Sequence, residues 1–260
     1  MDQGPDHPTG DDTIQSLARG LAVIRSFDAE HPAQTLSEVA RRTGLSRATA
    51  RRVLHTLRSL GYADVDGRQF TLSPRVLDLG YAYLSSQPLS DLIEPFIEQL
   101  SAELHESVSV AVLDDCDIIY VARVATSRLM TIAIGIGSRL PAPTTSMGRV
   151  LLADLPNAER RRRLAQVELP RRTDMTITTK AALLDELDRV ADQGWALMDQ
   201  ELELGVRSIA APVRDRSGRA VAAMNVATHA GRTSVEEIHD RFLPALVTTA
   251  RDVSDALASR

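Results

Sequence analysis

The sequence has one cysteine, no long apolar run and no apolar segment near its start, and each absence excludes a class of protein. Cys116 alone cannot form an internal disulfide or a multi-cysteine zinc site, and its isolation fits a reducing cytoplasm. No hydrophobic stretch approaches the length needed to cross a bilayer. Residues 1–13 are acidic and lack the apolar core of a signal peptide, so we expect a disordered tail. The sequence therefore predicts a cytoplasmic protein with no membrane partner.

Catalytic and metal-binding patterns are also missing. The six histidines have no metal-ligand spacing, and the chain contains neither a phosphate-binding loop nor a nucleophile elbow. The Gly-Ile-Gly segment at 135–137 lacks the third glycine of a dinucleotide motif. A redox sensor at Cys116 is disfavoured, because Asp114, Asp115 and Asp117 would raise the pKa of its thiol. We predict no catalytic residue, no cofactor and no metal site; an enzyme of unknown reaction is the disfavoured alternative.

The length of 260 residues and the hydrophobic fraction of 43% are typical of a globular chain with two domains. The first of them begins near residue 14 with a helix-turn-helix pattern. Thr35 and Glu38 form a capping box at the start of one helix, and Gly44 can end that helix in the left-handed conformation. Ser46 caps a second helix, in which apolar residues recur at helical spacing. That buried stripe comprises Ala50, Val53, Leu54, Leu57 and Leu60.

The opposite face of the second helix is cationic, as a recognition helix requires. Between Ser16 and Arg75 there are ten arginines and five acidic residues, a local net charge of +5 in a chain whose total is -5. Such local basicity is typical of a DNA-binding module, although a row of arginines can also merely solvate a helix face. The first turns lie nearest the base edges of a major groove. The predicted groove contacts are Ser46, Arg47, Thr49, Arg51 and Arg52.

A hairpin follows this helix and completes a winged helix-turn-helix over residues 14–73. Asp66-Gly67 between two short strands predicts a type I′ turn. We expect Arg68 to contact the flanking phosphates of DNA. Ser73 and Pro74 then begin a linker helix, predicted over residues 74–87.

Residues 88–260 are predicted to form an effector-binding and oligomerisation domain. Strands flanked on one side by helices indicate an α+β class. The run Arg160–Arg163 is interpreted as a solvated helix face. Pro244 predicts a kink or break near Arg241 in the closing helix. We assign the apolar face of this helix to the core, with a subunit interface as the alternative. The predicted helices are Leu89–Leu104, Thr145–Ala153, Lys180–Gln193 and Val235–Leu257, and the strands Ser107–Leu113, Ile118–Val124, Met130–Ile136, Ser208–Val213 and Ala220–Thr228.

The whole arrangement from Ser16 onward resembles the IclR family of bacterial transcription regulators. The segments that carry the resemblance are Ser16-Leu-Ala-Arg-Gly-Leu21, Gly137-Ser-Arg-Leu-Pro141, Ser146-Met-Gly-Arg-Val-Leu-Leu-Ala153 and Gly205-Val-Arg-Ser-Ile-Ala-Ala-Pro-Val213. The resemblance implies a winged helix-turn-helix, a linker helix and a C-terminal effector domain related to the GAF fold. It also implies a homodimer or homotetramer on double-stranded DNA with an inverted-repeat operator, and it leaves open activator versus repressor.

Other segments look like the regulators of protocatechuate, 4-hydroxybenzoate and β-ketoadipate catabolism. They are Gly61-Tyr-Ala-Asp-Val-Asp-Gly67, Leu77-Asp-Leu-Gly-Tyr-Ala-Tyr-Leu-Ser-Ser86 and Asp199-Gln-Glu-Leu-Glu-Leu-Gly205. This likeness implies control of aromatic-acid catabolism through a small carboxylate effector. A regulator tuned to a different small acid, such as glyoxylate or a muconate, remains an alternative.

The family resemblance places the effector beside one helix start and two strands. A carboxylate suits backbone donors at a helix N-terminus and a bidentate arginine. We hypothesise that Arg123 or Arg149 binds the effector carboxylate, whereas for Arg207 an ion pair with Asp199 or Glu203 is favoured. The predicted effector residues are Arg123, Thr144, Thr145, Ser146, Met147, Arg149, Ser208, Asn225 and Ala227.

Overall fold

The computed structural model describes residues 13–86, 89–126 and 134–259, with the side chains of 84–91 left aside. The chain divides between Tyr83 and Leu84 into two compact units, and the division falls inside a helix. The first unit contains helices α1 (Gln15–Arg25), α2 (Leu36–Thr43) and α3 (Arg47–Ser59) and strands β1 (Ala33–Thr35), β2 (Ala63–Asp66) and β3 (Gln69–Leu72).

The N-terminal unit is a winged helix-turn-helix, as the sequence predicts. Its strands form one antiparallel sheet in the order β1-β3-β2. The short strand β1 was not predicted; Ala33 pairs with Thr71 and Thr35 with Gln69. Helices α1, α2 and α3 enclose the core of this unit. The core residues are Val23, Val39, Ala40, Ala50, Leu54, Leu57, Ala63 and Phe70.

Capping fixes the start of both helices of the motif. The Thr35 hydroxyl accepts a hydrogen bond from the Glu38 N–H at 3.4 Å, and the Glu38 carboxylate accepts one from the Thr35 N–H at 2.7 Å. Gly44 ends α2 with φ +67°, and the Ser46 hydroxyl accepts from the Thr49 N–H at 3.2 Å. These predictions are confirmed. On α3, however, Leu60 is half exposed and does not belong to the buried stripe.

We expect Thr35→Ala to destabilise α2 by about 1 kcal/mol, because it leaves helix-start donors without a partner. Amide hydrogen exchange within α2 of the full chain should accelerate about fivefold. Thr56→Ala is the matched control, because the Thr56 hydroxyl donates to the Arg52 carbonyl oxygen inside α3 and takes no part in the cap of α2. Equal acceleration of α2 by the two variants would contradict this role of the cap.

The capping box also carries a pH dependence. Hydrogen bonds from Thr35 hold the pKa of Glu38 below its usual 4.5. A carboxylate whose pKa is lowered in the folded state stabilises that state fully at a pH above the usual pKa. This stabilisation is lost as the pH falls through the lowered pKa.

The turn of the wing differs from the prediction. Asp66 pairs with Gln69, so Gly67 and Arg68 are the two central residues of the turn. A type I′ turn needs positive φ at both, yet only Gly67 has it, at +56°. The sign pattern is that of a type II′ turn, which equally fits the twist of a hairpin.

The linker region begins with a 3-10 turn, Pro74–Val76, and continues as helix α4 (Leu77–Ser86). Ser73 does not cap it, since its hydroxyl donates to the Gly61 carbonyl oxygen instead. The Arg75 guanidinium lies over the Tyr62 ring, 5.5 Å from its centroid.

The second unit contains one six-stranded antiparallel sheet in the order β6-β5-β4-β9-β8-β7. This confirms the α+β class. Its strands are β4 (Ser107–Asp114), β5 (Asp117–Val124), β6 (Arg139–Pro141), β7 (Ala196–Asp199), β8 (Val206–Arg214) and β9 (Ala220–His229); its helices are α5 (Leu89–Leu104), α6 (Ser146–Ala153), α7 (Asn157–Leu164), α8 (Lys180–Gln193), α9 (Val235–Glu237) and α10 (Leu243–Ala258).

Helices cover both faces of this sheet, so the expectation of one helical side is wrong. On the outer face, α5 and α10 pack through Ile97 and Leu246 against strand residues such as Val110. On the inner face, α6 and α8 pack around Met147 and Leu187. The strands place apolar residues on both faces, as a sheet covered by helices on both sides requires.

Three local predictions in this domain need comment. A π-helical turn, Ile238–Phe242, separates α9 from α10 just before Pro244, which confirms the predicted irregularity. The buried face of α10 belongs to the core, as assigned. Arg160 is not solvated: it is 4% exposed and paired with Asp188.

The remaining predicted strand, Met130–Ile136, lies mostly outside the described residues. Its described part, residues 134–136, is not a strand, and the strand next to β5 is β6.

Candidate nucleic-acid interface and ligand site

The first two turns of α3 carry three exposed arginines. Arg47, Arg51 and Arg52 are exposed, and their guanidinium groups have no hydrogen-bond or ion-pair partner within the described ranges. At the start of α3, Ser46 is an exposed cap and Thr49 is half-buried, with their hydroxyl oxygens 2.9 Å apart. The helix therefore presents free cationic donors from its first two turns.

The wing adds another exposed arginine. Arg68 is exposed at the hairpin turn and likewise lacks a partner among the residues that the structure describes. Arg42 on α2 behaves differently, because it is paired with Asp28 and contacts the His31 ring. Arg42 thus has a structural partner within this unit, whereas Arg47, Arg51, Arg52 and Arg68 have none among the described residues.

In the C-terminal domain, three polar side chains from adjacent strands form a row on the inner face of the sheet. Ser109 on β4 pairs with Arg123 on β5 and with Asn225 on β9. One terminal nitrogen of Arg123 donates to the Ser109 hydroxyl at 2.9 Å. The alternating neighbours Val108 and Val110 face the outer core, so the row faces α6.

A β-bulge directs Arg123 to that face. Val110 pairs with Ala122 but Ala111 pairs with Tyr120, which leaves Val121 as an extra residue in β5. Side chains three positions apart on a regular strand point to opposite faces. The extra residue shifts the alternation by one, so Tyr120 and Arg123 lie on the same face.

The start of α6 lies over this part of the sheet. The Thr145 hydroxyl accepts from the Gly148 N–H at 3.1 Å, and the Ser146 and Ser208 hydroxyl oxygens are 2.9 Å apart. Gly148 permits the close approach of the preceding turn, since a Cβ there would lie 2.2 Å from the Ala142 carbonyl oxygen. The serine pair connects the helix start to β8. Ser208 lies two residues before Ala210, the β8 residue that pairs with Asn225.

The other predicted residues are near the same helix start or strands. Thr144 is buried, and its hydroxyl donates to the Pro141 carbonyl oxygen at 3.3 Å. Met147 is buried in the inner core. Ala227 is half-buried and pairs with both Ser107 and Ser208. Ser208, Ser146 and Asn225 are thus the polar members that face the inner side together.

Arg149 has a different role from the one hypothesised. It is 1% exposed, and its two terminal nitrogens donate to the Glu201 carboxylate at 2.8 and 2.6 Å. Its Nε donates to the Pro143 carbonyl oxygen at 3.0 Å. Because all three nitrogens are engaged, Arg149 is removed from the candidate ligand residues. The ion pair favoured for Arg207 is confirmed, with Nε 2.6 Å from the Asp199 carboxylate.

Two atoms of the polar row have no internal partner. Arg123 Nε and Asn225 Oδ1 are both buried, and neither forms a hydrogen bond within the part of the chain that the structure describes. Asn225 as a whole is 6% exposed. Buried polar groups in proteins are almost always hydrogen-bonded to protein groups or ordered water, so this donor and this acceptor, at either side of Ser109, are open to a further hydrogen-bond partner.

Sequence reasoning missed Ser109 and Tyr120. Burial raises the pKa of Tyr120 to about 12, while the charge of Arg123 acts in the opposite direction. The segment Ser107-Val-Ser-Val110 alternates serine with valine in a buried strand, and that pattern was the available signal for an inward polar row.

Cys116 is half-buried, and its thiol donates to the Arg163 carbonyl oxygen at 3.4 Å. Burial, then the charge of Asp115, raises the pKa of this thiol, which opposes thiolate chemistry. In the described ranges, no three or more His, Cys, Asp or Glu residues are grouped so that they could hold a metal ion. None of the described helices combines the length and apolar character required to cross a membrane.

Comparison with protein families identifies both units. The model of the bacterial transcriptional regulator IclR C-terminal domain matches residues 81–255, and the IclR helix-turn-helix model matches residues 16–67. The chain is 46% identical over 251 residues to the Pca regulon regulatory protein of Pseudomonas putida, an alignment that covers 96% of this chain and 86% of that protein.

Solved structures give the same result. A protein of Rhodococcus sp. RHA1 described as a transcriptional regulator is 52% identical, with a TM-score of 0.85 and coverage of 95% of this chain and 99% of that one. A double mutant of the PobR inducer-binding domain from Acinetobacter, in complex with 3-hydroxybenzoic acid, is 32% identical with a TM-score of 0.59, over 65% of this chain and 98% of that one.

Proposed function

This chain belongs to the IclR family of bacterial transcriptional regulators, and we propose that it controls genes of aromatic-acid catabolism by binding an operator through α3 and a small carboxylate through the inner face of its C-terminal sheet. The family makes it a DNA-binding regulator that responds to a small molecule. The operator contacts, the effector and its site are the parts we add, and we expect the protein to act in the cytoplasm.

The observation that carries the DNA part is the set of free arginines on α3 and the wing. Arg47, Arg51 and Arg52 occupy the helix turns that enter a major groove, where arginine can bind guanine bidentately. Ser46 and Thr49 at the helix start can contact the backbone or a base edge. Arg68, on the hairpin turn, is placed to contact a phosphate beside the site.

We further propose that the protein binds as a homodimer or homotetramer. Two recognition helices related by a twofold axis read an inverted repeat, and their half-sites lie about ten base pairs, or a multiple of that, apart. The family contains activators and repressors, and no residue discussed above decides between them.

The observation that carries the effector part is the unpartnered Nε of Arg123. An arginine whose second donor is buried without an acceptor is suited to a carboxylate, which can accept two hydrogen bonds from one guanidinium. Ser146, Ser208 and Asn225 add uncharged hydrogen-bonding groups, with Thr144, Thr145, Met147 and Ala227 around them. The similarity to the PobR domain, which was solved with a hydroxybenzoate, supports an aromatic acid.

Arg123→Met tests this site, because it keeps the length of the side chain and removes its charge. A hydrogen bond to a charged group contributes about 1.5–3 kcal/mol, so we expect affinity for the effector to fall by roughly 10- to 150-fold. Calorimetric titration of the full chain with protocatechuate, 4-hydroxybenzoate, β-ketoadipate, cis,cis-muconate and glyoxylate measures this and names the acid.

Arg139→Met is the matched control. Arg139 lies on β6 of the same sheet but is exposed and already bonded to Asp114 and Asp117. Its loss should leave the affinity for the effector unchanged. An affinity within twofold of the wild type for Arg123→Met would remove the proposed clamp, and tight binding of glyoxylate or muconate alone would remove the assignment to aromatic acids.

A further inference from the structure

We infer that Arg75 and Tyr62 are positioning residues for operator recognition: their contact fixes the start of the linker helix to the end of α3, and so sets which spacing of half-sites two copies of the chain can read. The inference rests on the proposed function, because it concerns how two recognition helices bind one operator. It adds two residues that lie outside the groove contacts and assigns them to selectivity for spacing.

The first step concerns the end of α3, which is closed by backbone hydrogen bonds. Gly61 has φ +79°, and its N–H donates to the Arg58 carbonyl oxygen at 3.0 Å. The Tyr62 N–H donates to the Leu57 carbonyl oxygen at 2.8 Å, and the Tyr62 side chain packs against the N-terminal core. The two bonds and the left-handed glycine form a Schellman motif, which ties the residues after a helix to its last turn. Gly61 and Tyr62 are therefore held to α3.

The second step concerns the end of the hairpin and the start of the linker, which contact the same two residues. The Ser73 N–H donates to the Tyr62 carbonyl oxygen at 3.0 Å, and the Ser73 hydroxyl donates to the Gly61 carbonyl oxygen. The Arg75 guanidinium lies over the Tyr62 ring, 5.5 Å from its centroid. The same side chain lies against Gly61, since a Cβ there would be 3.2 Å from an Arg75 terminal nitrogen. The linker latch, as we call this cluster, comprises Gly61, Tyr62, Ser73 and Arg75.

The third step concerns which part of the linker latch holds the linker helix itself. Ser73 precedes Pro74, so its bonds hold the end of the hairpin. Arg75 lies within the 3-10 turn Pro74–Val76, which continues directly into α4. A guanidinium is attracted to a tyrosine ring only while it stays over the face of that ring. The contact between Arg75 and Tyr62 therefore orients the start of α4 relative to α3.

The fourth step concerns what a fixed linker does in an oligomer. The predicted oligomerisation domain, residues 88–260, is joined covalently to α3 through the hairpin and α4. The effective concentration of a second binding module depends on the length and stiffness of its connection, and it is high only where the geometry lets both modules bind at once. A stiff connection between α3 and α4 therefore favours one spacing of half-sites, whereas a flexible joint at Pro74 accepts several.

The test compares the full-length wild type with Arg75→Met on duplexes of different spacing. The inverted repeat that the wild type enriches from a randomised pool is titrated beside the same repeat with a spacer two base pairs longer, and beside a duplex with a single half-site. Two base pairs rotate one half-site by about 70° around the DNA axis, so the wild type should bind the lengthened repeat about tenfold or more weakly. In Arg75→Met this ratio should fall to about two, while the affinity for the single half-site stays within twofold of the wild-type value.

Conservative variants separate the contact from general packing. Tyr62→Phe keeps the ring face and should keep the wild-type ratio, whereas Tyr62→Leu should lower the ratio as Arg75→Met does. Arg75→Lys keeps a cation and should keep part of the ratio, and it serves also if the methionine variant does not fold. Arg58→Met is the matched control, because Arg58 is exposed and takes part in the end of α3 through its backbone carbonyl group. It should leave the ratio unchanged.

The outcomes distinguish the inference from the proposed function. A wild-type ratio that Arg75→Met retains overturns the inference while leaving α3 as the recognition helix. An equal loss of affinity for both repeats and for the single half-site identifies Arg75 as a phosphate contact and also overturns the inference. If the wild type enriches no inverted repeat, or binds both spacings equally, the proposed binding of two copies to one operator is overturned together with the inference.

Discussion

Arg149→Met should destabilise the C-terminal domain by about 3–5 kcal/mol. The substitution removes the cation that neutralises Glu201, and breaking one side of a buried ion pair leaves an uncompensated charge. Among the described residues the Glu201 carboxylate then keeps the Ile177 N–H, at 3.1 Å, and Glu201 is only 9% exposed. In thermal unfolding of the full chain, a loss of this size in a domain of roughly 175 residues lowers the midpoint by about ten degrees.

A double variant and a surface variant make that result specific. Arg149→Met combined with Glu201→Leu should regain most of the lost stability, because an apolar pair can replace a buried ion pair at little cost. Arg162→Met removes an exposed arginine paired with Glu159 on α7 and should cost less than 1 kcal/mol. If the free energy of unfolding of Arg149→Met lay within 1 kcal/mol of the wild-type value, the structural role of Arg149 would be contradicted and the residue would again be a ligand candidate.

The second large effect concerns DNA recognition. A bidentate contact from arginine to a base contributes about 1–3 kcal/mol of discrimination. We expect Arg47→Ala and Arg52→Ala each to reduce the preference for the operator over unrelated DNA by about 5- to 150-fold, and the double variant to lose most of it. Arg68→Ala should instead weaken binding to all sequences alike. It should also reduce the slope of log K against log salt concentration by about one, because one phosphate contact is lost.

Equilibrium titrations of labelled duplexes at several salt concentrations separate these outcomes. Arg58→Ala is the matched control on α3, because Arg58 is exposed but lies in the last turn of the helix. It should leave the preference for the operator unchanged. An equal loss on every sequence for Arg47→Ala, Arg52→Ala and Arg68→Ala would show that neither arginine of α3 reads a base.

What the sequence predicts well is decided within a few neighbouring residues. The capping box of Thr35 and Glu38, the left-handed Gly44 and the cap at Ser46 depend on groups no more than three positions apart, and all are confirmed. The same holds for the irregularity before Pro244, because proline acts on the turn that precedes it.

What the sequence does not predict is decided by distant partners. Strand β1 exists because Ala33 meets Thr71, and Arg149 is a structural residue because Glu201, 52 positions later, lies beside it. Arg149 lies close in sequence to the predicted effector residues Thr144–Met147, and that proximity did not reveal its pairing with Glu201. A pattern of residue types cannot distinguish an arginine that binds a ligand from one that neutralises a buried carboxylate.

The candidate effector site shows a further limit. Alternation along β5 would place Tyr120 and Arg123 on opposite faces, and only the pairing with β4 reveals the extra residue at Val121. Asn225 and Ser208 came from the family resemblance, whereas the unpartnered atoms that give the site its chemistry are visible only in three dimensions. The membership of the effector site stays a prediction, and the roles proposed within it rest on the structure.

The central claim is that α3 reads operator DNA, and selection from a randomised duplex pool tests it most directly. Wild type should enrich an inverted repeat whose half-sites are about ten base pairs, or a multiple of that, apart. The Arg47→Ala, Arg52→Ala double variant should enrich no such repeat while it still binds DNA weakly. Enrichment of the same repeat by both proteins, or of no motif by the wild type, would contradict the assignment of α3 as the recognition helix.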